Sequence, residues 1–229
     1  MQKQKIDPYY LIITSDYTSV SCGLYQAQNI LDSFVEHKIT ASKNLMLHMV
    51  TLLKNNTVSW DDLSFIGVNC GPSPFTTLRV VITTVNGLLF AQKIPLIGID
   101  GLQSFLYEYD SCHHLVVALL NAFNNDIYFG IKEKNGAIKT GWDFYATFLH
   151  ELSEKQKDEP ILFVGNGVTL HHELITTLFA KAIIPQPIPE TVSLATVARI
   201  SLIAWHEGKQ NTDPLIPLYL KTLEYKQST

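Results

Sequence analysis

YYLIITSDYTSVSCGLY, Tyr9 to Tyr25, is a polar turn between two apolar runs. Tyr9–Thr14 and Ser19–Tyr25 are rich in β-branched and aromatic residues, which suit a pleated, half-buried surface. Ser15-Asp16-Tyr17-Thr18 between them carries turn chemistry, because a short acidic or hydroxyl side chain can bond the backbone two residues on. The segment predicts an antiparallel hairpin, and Asn29–Val35 extends it to a three-stranded meander. Ser42 then offers a cap for a helix over Lys43–Lys54. Phe65–Asn69 and Leu96–Ile99 are short apolar runs of the buried-strand kind, and Asp100 can cap a short helix to Tyr109.

The second half repeats this order. Leu115–Leu120 and Asp126–Lys132 read as strands, and Asn135-Gly136 turns the second into a third. A helix follows over Phe144–Lys155, then an apolar strand at Ile161–Val164, then a helix over Leu170–Ala182. Pro185-Gln186-Pro187-Ile188-Pro189 cannot be helical. Ser193 caps a last helix to His206, which Gly208 ends. Each half is strand-strand-strand-helix-strand-helix, the order of the ribonuclease H-like unit. The expected fold is therefore α/β: two ribonuclease H-like lobes of the actin/Hsp70/sugar-kinase architecture. The expected division is residues 1–104 and 105–229, with the chain end packing back on the first lobe.

Composition sets the bounds. The 229 residues are 46% hydrophobic and 17% charged, enough for substantial cores, and the net charge is −4. An extended phosphate-binding surface needs clustered Lys and Arg, so direct nucleic-acid binding by this chain is not expected. Three cysteines, Cys22, Cys70 and Cys112, with no CxxC spacing, suit a reducing compartment. No stretch reaches the ~18 apolar residues of a membrane span. The expectation is a cytoplasmic protein with no membrane association.

The stretch with most to explain is CGPSPFTTLRVVITTVNGLLF, Cys70 to Phe90. Pro74 sits where a helix would begin, its fixed φ suiting a first turn. Leu78, Val81, Ile82, Val85, Leu88 and Leu89 recur at helical spacing, but Val80 and Phe90 lie off that stripe and Arg79 is the only charge. A helix apolar on every side must pack against two things. One is its own sheet. Periodicity alone leaves the second open between a partner chain and the same lobe.

Chemistry is sparse. The P-loop pattern is absent, and Gly165-Asn166-Gly167 lacks the third glycine of a dinucleotide fingerprint. Actin-like ATPases cradle phosphates in a tight, glycine-favouring turn between their first two strands. Here that turn holds Tyr17 and no glycine; Asp16 suits an Asx turn better than a cation site. Asp16, Gly165 and Gly167 together are what a vestigial nucleotide site would retain. No His-x-x-x-His pair exists, and the doublets His113-His114 and His171-His172 point their rings apart, so no metal site is expected. Cys70 beside Gly71 reads as a buried strand end or a nucleophile lacking a base nearby in sequence.

With these pieces assembled, the chain resembles the TsaB (YeaZ) family of tRNA threonylcarbamoyladenosine biosynthesis proteins. The family's Gly-Pro-Gly-Ser-Phe-Thr-Gly-Leu-Arg loop and helix is similar to Gly71-Pro72-Ser73-Pro74-Phe75-Thr76-Thr77-Leu78-Arg79. Pro95-Leu96-Ile97-Gly98-Ile99-Asp100-Gly101-Leu102 and Pro217-Leu218-Tyr219-Leu220-Lys221 match two later family patterns. Departures are Ile13-Thr14-Ser15 for an Ile-Asp-Thr, the loss of a helix-start histidine around Ser42, and Asn121-Ala122-Phe123 for an Asp-Ala-Arg. The resemblance implies a non-catalytic subunit with no cofactor of its own. ATP and Mg are used by its partners, a TsaD-like catalytic paralogue and a TsaE-like ATPase. It implies a homodimer in isolation and contact with tRNA only through the complex. The hallmark loop Gly71, Pro72, Ser73 and Pro74 would precede a partner-binding helix carrying Phe75, Thr76, Leu78, Arg79, Val80, Val81, Ile82 and Val85. The competing reading is an actin-like-fold ATPase or small-molecule kinase; a peptidase lacks any recognisable triad or metal clamp here.

Overall fold

The computed structural model describes residues 7–156 and 158–221. They form two units, one from residues up to Ser104 together with Ser193–Leu218, the other from Phe105–Val192 and the segment from Tyr219 on. The last helix, which element order placed with the second half, thus belongs to the first unit.

In the first unit, β1 (Tyr9–Ser15), β2 (Ser19–Gln26) and β3 (Asn29–His37) form the antiparallel meander; β4 (Leu63–Asn69) and β5 (Leu96–Ile99) add to β1 in parallel, in the order β3-β2-β1-β4-β5. Strand β1 is buried on both faces, so it reads as a continuous apolar run rather than an alternating one. Leu11 and Ile13 meet helices α1 (Lys38–Asn55) and α2 (Phe75–Gln92) in one core. Tyr10 and Ile12 point the other way, toward α7 (Leu194–His206), which lies on β1, β2, β4 and β5. There Trp205 stacks on Phe65 at 5.2 Å, and Gly67 admits Ser201: a Cβ on Gly67 would stand 2.4 Å from Ser201 Oγ. The sheet needs α7 to cover its second face, which is why the chain returns.

Helix α1 begins earlier than its sequence signals suggest. Ser42 lies inside it, and His37 is its cap, the ring Nδ1 accepting from the Ile39 amide at 3.4 Å. Strand β3 runs on to His37, so strand and helix meet without the expected loop.

The second unit repeats the plan. Strands β6 (Leu115–Asn121), β7 (Asp126–Lys132) and β8 (Ile138–Phe144) are antiparallel, and β9 (Ile161–Val164) and the two-residue β10 (Ala182–Ile183) extend β6 in parallel. Outward from the first strand of each unit, the order is the same. Helices α4 (Tyr145–Gln156), α5 (Asn166–Leu170) and α6 (His172–Leu178) cover one face over Phe129, Phe148, Phe163 and Phe179. The single helix expected over Leu170–Ala182 is two, broken at His171, whose ring stacks flat on Tyr145 at 4.0 Å. Between β5 and β6 lies α3 (Gly101–Tyr107), started by Asp100, whose carboxylate accepts from the Leu102 and Gln103 amides.

Candidate functional site

The loop Gly71-Pro72-Ser73-Pro74 is clamped at the carboxyl ends of β1, β4 and β5. The Asn69 side-chain oxygen accepts from the Gly71 amide at 2.9 Å, and the Gly71 carbonyl accepts from the Gly101 amide at 2.8 Å. Ser73 and the buried Ser15 share a hydroxyl–hydroxyl bond of 3.0 Å. Gly71 stands at φ +111°, a conformation L side chains avoid, and a Cβ there would press Leu78 at 3.0 Å. The Cys70 carbonyl accepts from the Leu218 amide at 2.8 Å. The loop is thus bonded from above and below. Cys70 is buried, which pushes its thiol up to about 11, the opposite of what a nucleophile needs.

Helix α2 then resolves the puzzle of a helix apolar on all sides. Leu78, Val81, Ile82 and Val85 are buried in the unit's own core, where α2 meets β1 and α1. The second surface is the returning chain. Leu215 enters the same core, and the Asn86 side chain clasps its backbone twice: the amide nitrogen donates to the Leu215 carbonyl at 2.9 Å, and the side-chain oxygen accepts from the Leu215 amide at 2.8 Å. Four of the eight residues expected to bind a partner are therefore unavailable, because their methyl groups already fill this core. The outward face keeps Phe75, Thr76 and Arg79, with Val80 half-buried, and continues through Thr83 and Gly87 to Phe90, 90% exposed. The Arg79 guanidinium lies 3.7 Å over the centre of the Phe75 ring, one helical turn back.

Beside it, α1 carries an apolar stripe that sequence reasoning missed. Ile39, Met46, Leu47 and Val50 stand exposed, Leu47 at 64%. Their i, i+7, i+8, i+11 spacing was readable, but only for a helix begun at Lys38 rather than Lys43. Helices α1 and α2 pack on each other.

The residues of a vestigial nucleotide site are occupied otherwise. The Asp16 carboxylate accepts from the Thr18 and Ser19 amides at 2.7 and 2.6 Å and from both hydroxyls. Gly165, at φ +102°, and Gly167 lie in the second unit against β6: a Cβ on either would approach the Leu119 carbonyl oxygen to 2.2 and 2.8 Å. The Gly165 and Asn166 amides donate to the Pro189 and Glu190 carbonyls. Among the described residues, no three His, Cys, Asp or Glu side chains group as a metal site, and no helix is long and apolar enough to cross a membrane.

Comparison with known proteins places this geometry. Residues 38–220 match the family model described as TsaD, tRNA N6-adenosine threonylcarbamoyltransferase. Over 168 residues the chain is 26% identical to the tRNA threonylcarbamoyladenosine biosynthesis protein TsaB of Bacillus subtilis (strain 168), covering 72% of this chain and 73% of that one. YeaZ from Pseudomonas aeruginosa superposes with a TM-score of 0.66 at 20% identity, over 93% of this chain and 100% of its own. A second Pseudomonas aeruginosa structure, described as similar to peptidase YeaZ, gives 0.69 at 19% identity with the same coverage. The ethanolamine utilization protein EutJ of Carboxydothermus hydrogenoformans gives 0.51 at 10% identity, over 85% of this chain and 89% of that one. The expected actin-like, two-lobed α/β fold and the resemblance to TsaB and YeaZ both hold.

Proposed function

This chain belongs to the family of TsaD, tRNA N6-adenosine threonylcarbamoyltransferase, and from that premise we propose that it serves threonylcarbamoyladenosine biosynthesis as a non-catalytic scaffold that binds and activates a TsaD-like paralogue. The observation that carries the reading is the β1–β2 turn. In an actin-like nucleotide site that turn must offer its amides to phosphate, and here the Thr18 and Ser19 amides are spent on the chain's own Asp16 carboxylate. A phosphate would have to displace a carboxylate already held by four donors. The likeness to TsaB, whose name assigns it to biosynthesis of the modified nucleoside, supports the same reading.

The docking face is the exposed stripe of α1, centred on Leu47, together with Phe75 and Arg79 of α2. Apolar side chains grouped in this way mark interaction surfaces. Activation requires that the scaffold bind the paralogue's competent conformation more tightly than its resting one. A TsaE-like ATPase joining the pair supplies ATP turnover, and tRNA is reached through the complex.

The test is co-expression with the TsaD-like paralogue, followed by purification and measurement of threonylcarbamoyladenosine in tRNA. Leu47→Asp and Arg79→Glu are expected to abolish co-purification and modification while thermal melting of the isolated chain is unchanged. Full modification by the paralogue and ATPase without this chain, or turnover of Mg-ATP by this chain alone, overturns the reading.

A further inference from the structure

Strand β8 is the outer strand of the second sheet, and among the described residues nothing pairs with its free side. Its sequence, Ile138-Lys139-Thr140-Gly141-Trp142-Asp143-Phe144, has a symmetry that its own sheet does not use. We propose that β8 pairs antiparallel with β8 of a second copy of this chain about a twofold axis at Gly141, joining two sheets into one.

The hydrogen-bond parity of the hairpin decides which backbone groups are available. The Glu133 amide donates to the Ala137 carbonyl and the Tyr145 amide to the Asn125 carbonyl, at the two ends of the β7–β8 register. Bonded pairs alternate along an antiparallel ladder, so Lys139, Gly141 and Asp143 bond inward to β7. The amides and carbonyls of Ile138, Thr140 and Trp142 and the carbonyl of Phe144 point outward, while the Phe144 amide donates to the neighbouring Asp143 carboxylate at 2.7 Å, a bond that pairing at the strand end would have to displace. A twofold at Gly141 sets Thr140 opposite Trp142 and Ile138 opposite Phe144 of the second copy. Both pairs join outward-facing groups to outward-facing groups, as a ladder requires.

The side chains agree with that register. Lys139 falls opposite Asp143 of the second copy, twice by symmetry, in the pairs without mutual hydrogen bonds, where side chains stand closer. Ile138 meets Phe144, and Thr140 meets Trp142, which covers the two large rings now 40% and 43% exposed. Gly141 on the axis has no side chain to collide with its mate; a Cβ there would already press Phe129 at 2.8 Å. The other long edge strand, β3, has Asp32 and Glu36 and no Lys or Arg, so it cannot make such a pair with itself. An unguarded edge with a charge-matched register is a self-association site of the isologous kind. It lies in the second unit, whereas the α1 and α2 residues proposed to hold the paralogue belong to the first, and it does not depend on that reading.

Sedimentation equilibrium of the purified full-length chain over the micromolar range tests it. The wild type is expected to dimerise. Thr140→Pro removes one outward donor without touching the β7 ladder and is expected to give monomer. Asp143→Lys sets Lys against Lys twice and is expected to weaken the dimer about tenfold or more. Adding Lys139→Asp to it restores opposite charges and is expected to restore association, a rescue that misfolding cannot mimic. Wild-type monomer at every concentration overturns the proposal. So does a dimer indifferent to all three changes but dissociated by Arg79→Glu, which would put the contact on the helical face.

Discussion

Among the described residues the Ser201 hydroxyl, buried in α7, has no hydrogen-bond partner and faces the bare Cα of Gly67. An unsatisfied buried hydroxyl costs about 1–3 kcal/mol, whereas a methyl in its place costs nothing comparable. Ser201→Ala is therefore expected to stabilise the chain, raising Tm by roughly 2–4 °C for each kcal/mol relieved in a protein of this size, as calorimetry would record. A fall in Tm would mean that the hydroxyl is satisfied in solution. The thiols give a second residue-scale prediction. Burial pushes Cys70 up to about 11 from the ordinary 9.0 and pushes the fully buried Cys22 up as well. At pH 8 a thiol reagent should titrate one group per native chain, the half-exposed Cys112, and three after unfolding. The sign follows for stability. The unfolded chain releases the Cys70 proton near pH 9 while the folded chain holds it to about pH 11, so this contribution is full below pH 9 and is lost as pH rises between the two. Chemical denaturation at pH 8 and pH 10.5 should show a lower midpoint at the higher pH.

At the scale of elements, α2 shows where sequence reasoning succeeds and where it stops. Its start at Pro74 and its buried stripe were legible, because local φ restriction and 3.6-residue periodicity are written in neighbouring positions. Its second covering surface was not. Leu215 lies far along the chain, and no local pattern announces that Asn86 will bond its backbone. The strand meanders were read correctly for the same reason as the helix start: β-branched and aromatic composition and turn chemistry are local. The helix break at His171, where the ring stacks on the distant Tyr145, was missed. The consequence is a sharp contrast between two substitutions one turn apart or less. Val81→Asp puts an unpaired charge into the core and should cost more than about 3 kcal/mol, abolishing the cooperative melt. Arg79→Glu lies on the outward face, removes the exposed contact with the Phe75 ring, and should change stability by no more than about 1 kcal/mol. Circular dichroism melting of both variants checks this. Equal losses would mean that α2 is differently turned.

At the scale of the whole chain, the division into units is not a division at one point of the sequence, since Ser193–Leu218 completes the first unit after the second has been built. The first unit's stability must then depend on residues translated after most of the second unit. Leu215 fills the α2 core, its backbone is held by Asn86, and Asn211 and Leu96 exchange backbone bonds at 2.6 and 3.1 Å. Leu215→Ala should remove about 2–3 kcal/mol through lost burial and the cavity left behind. The three tryptophans let this be assigned to a unit, for Trp60 and Trp205 lie in the first and Trp142 in the second. Variants keeping only Trp205 or only Trp142, the others changed to Phe, report each unit's denaturation by fluorescence. Leu215→Ala is expected to lower the Trp205 midpoint and leave the Trp142 midpoint in place. If both midpoints moved together, the two units would unfold as a single cooperative body, and the returning segment would stabilise the chain as a whole rather than the unit whose core it closes.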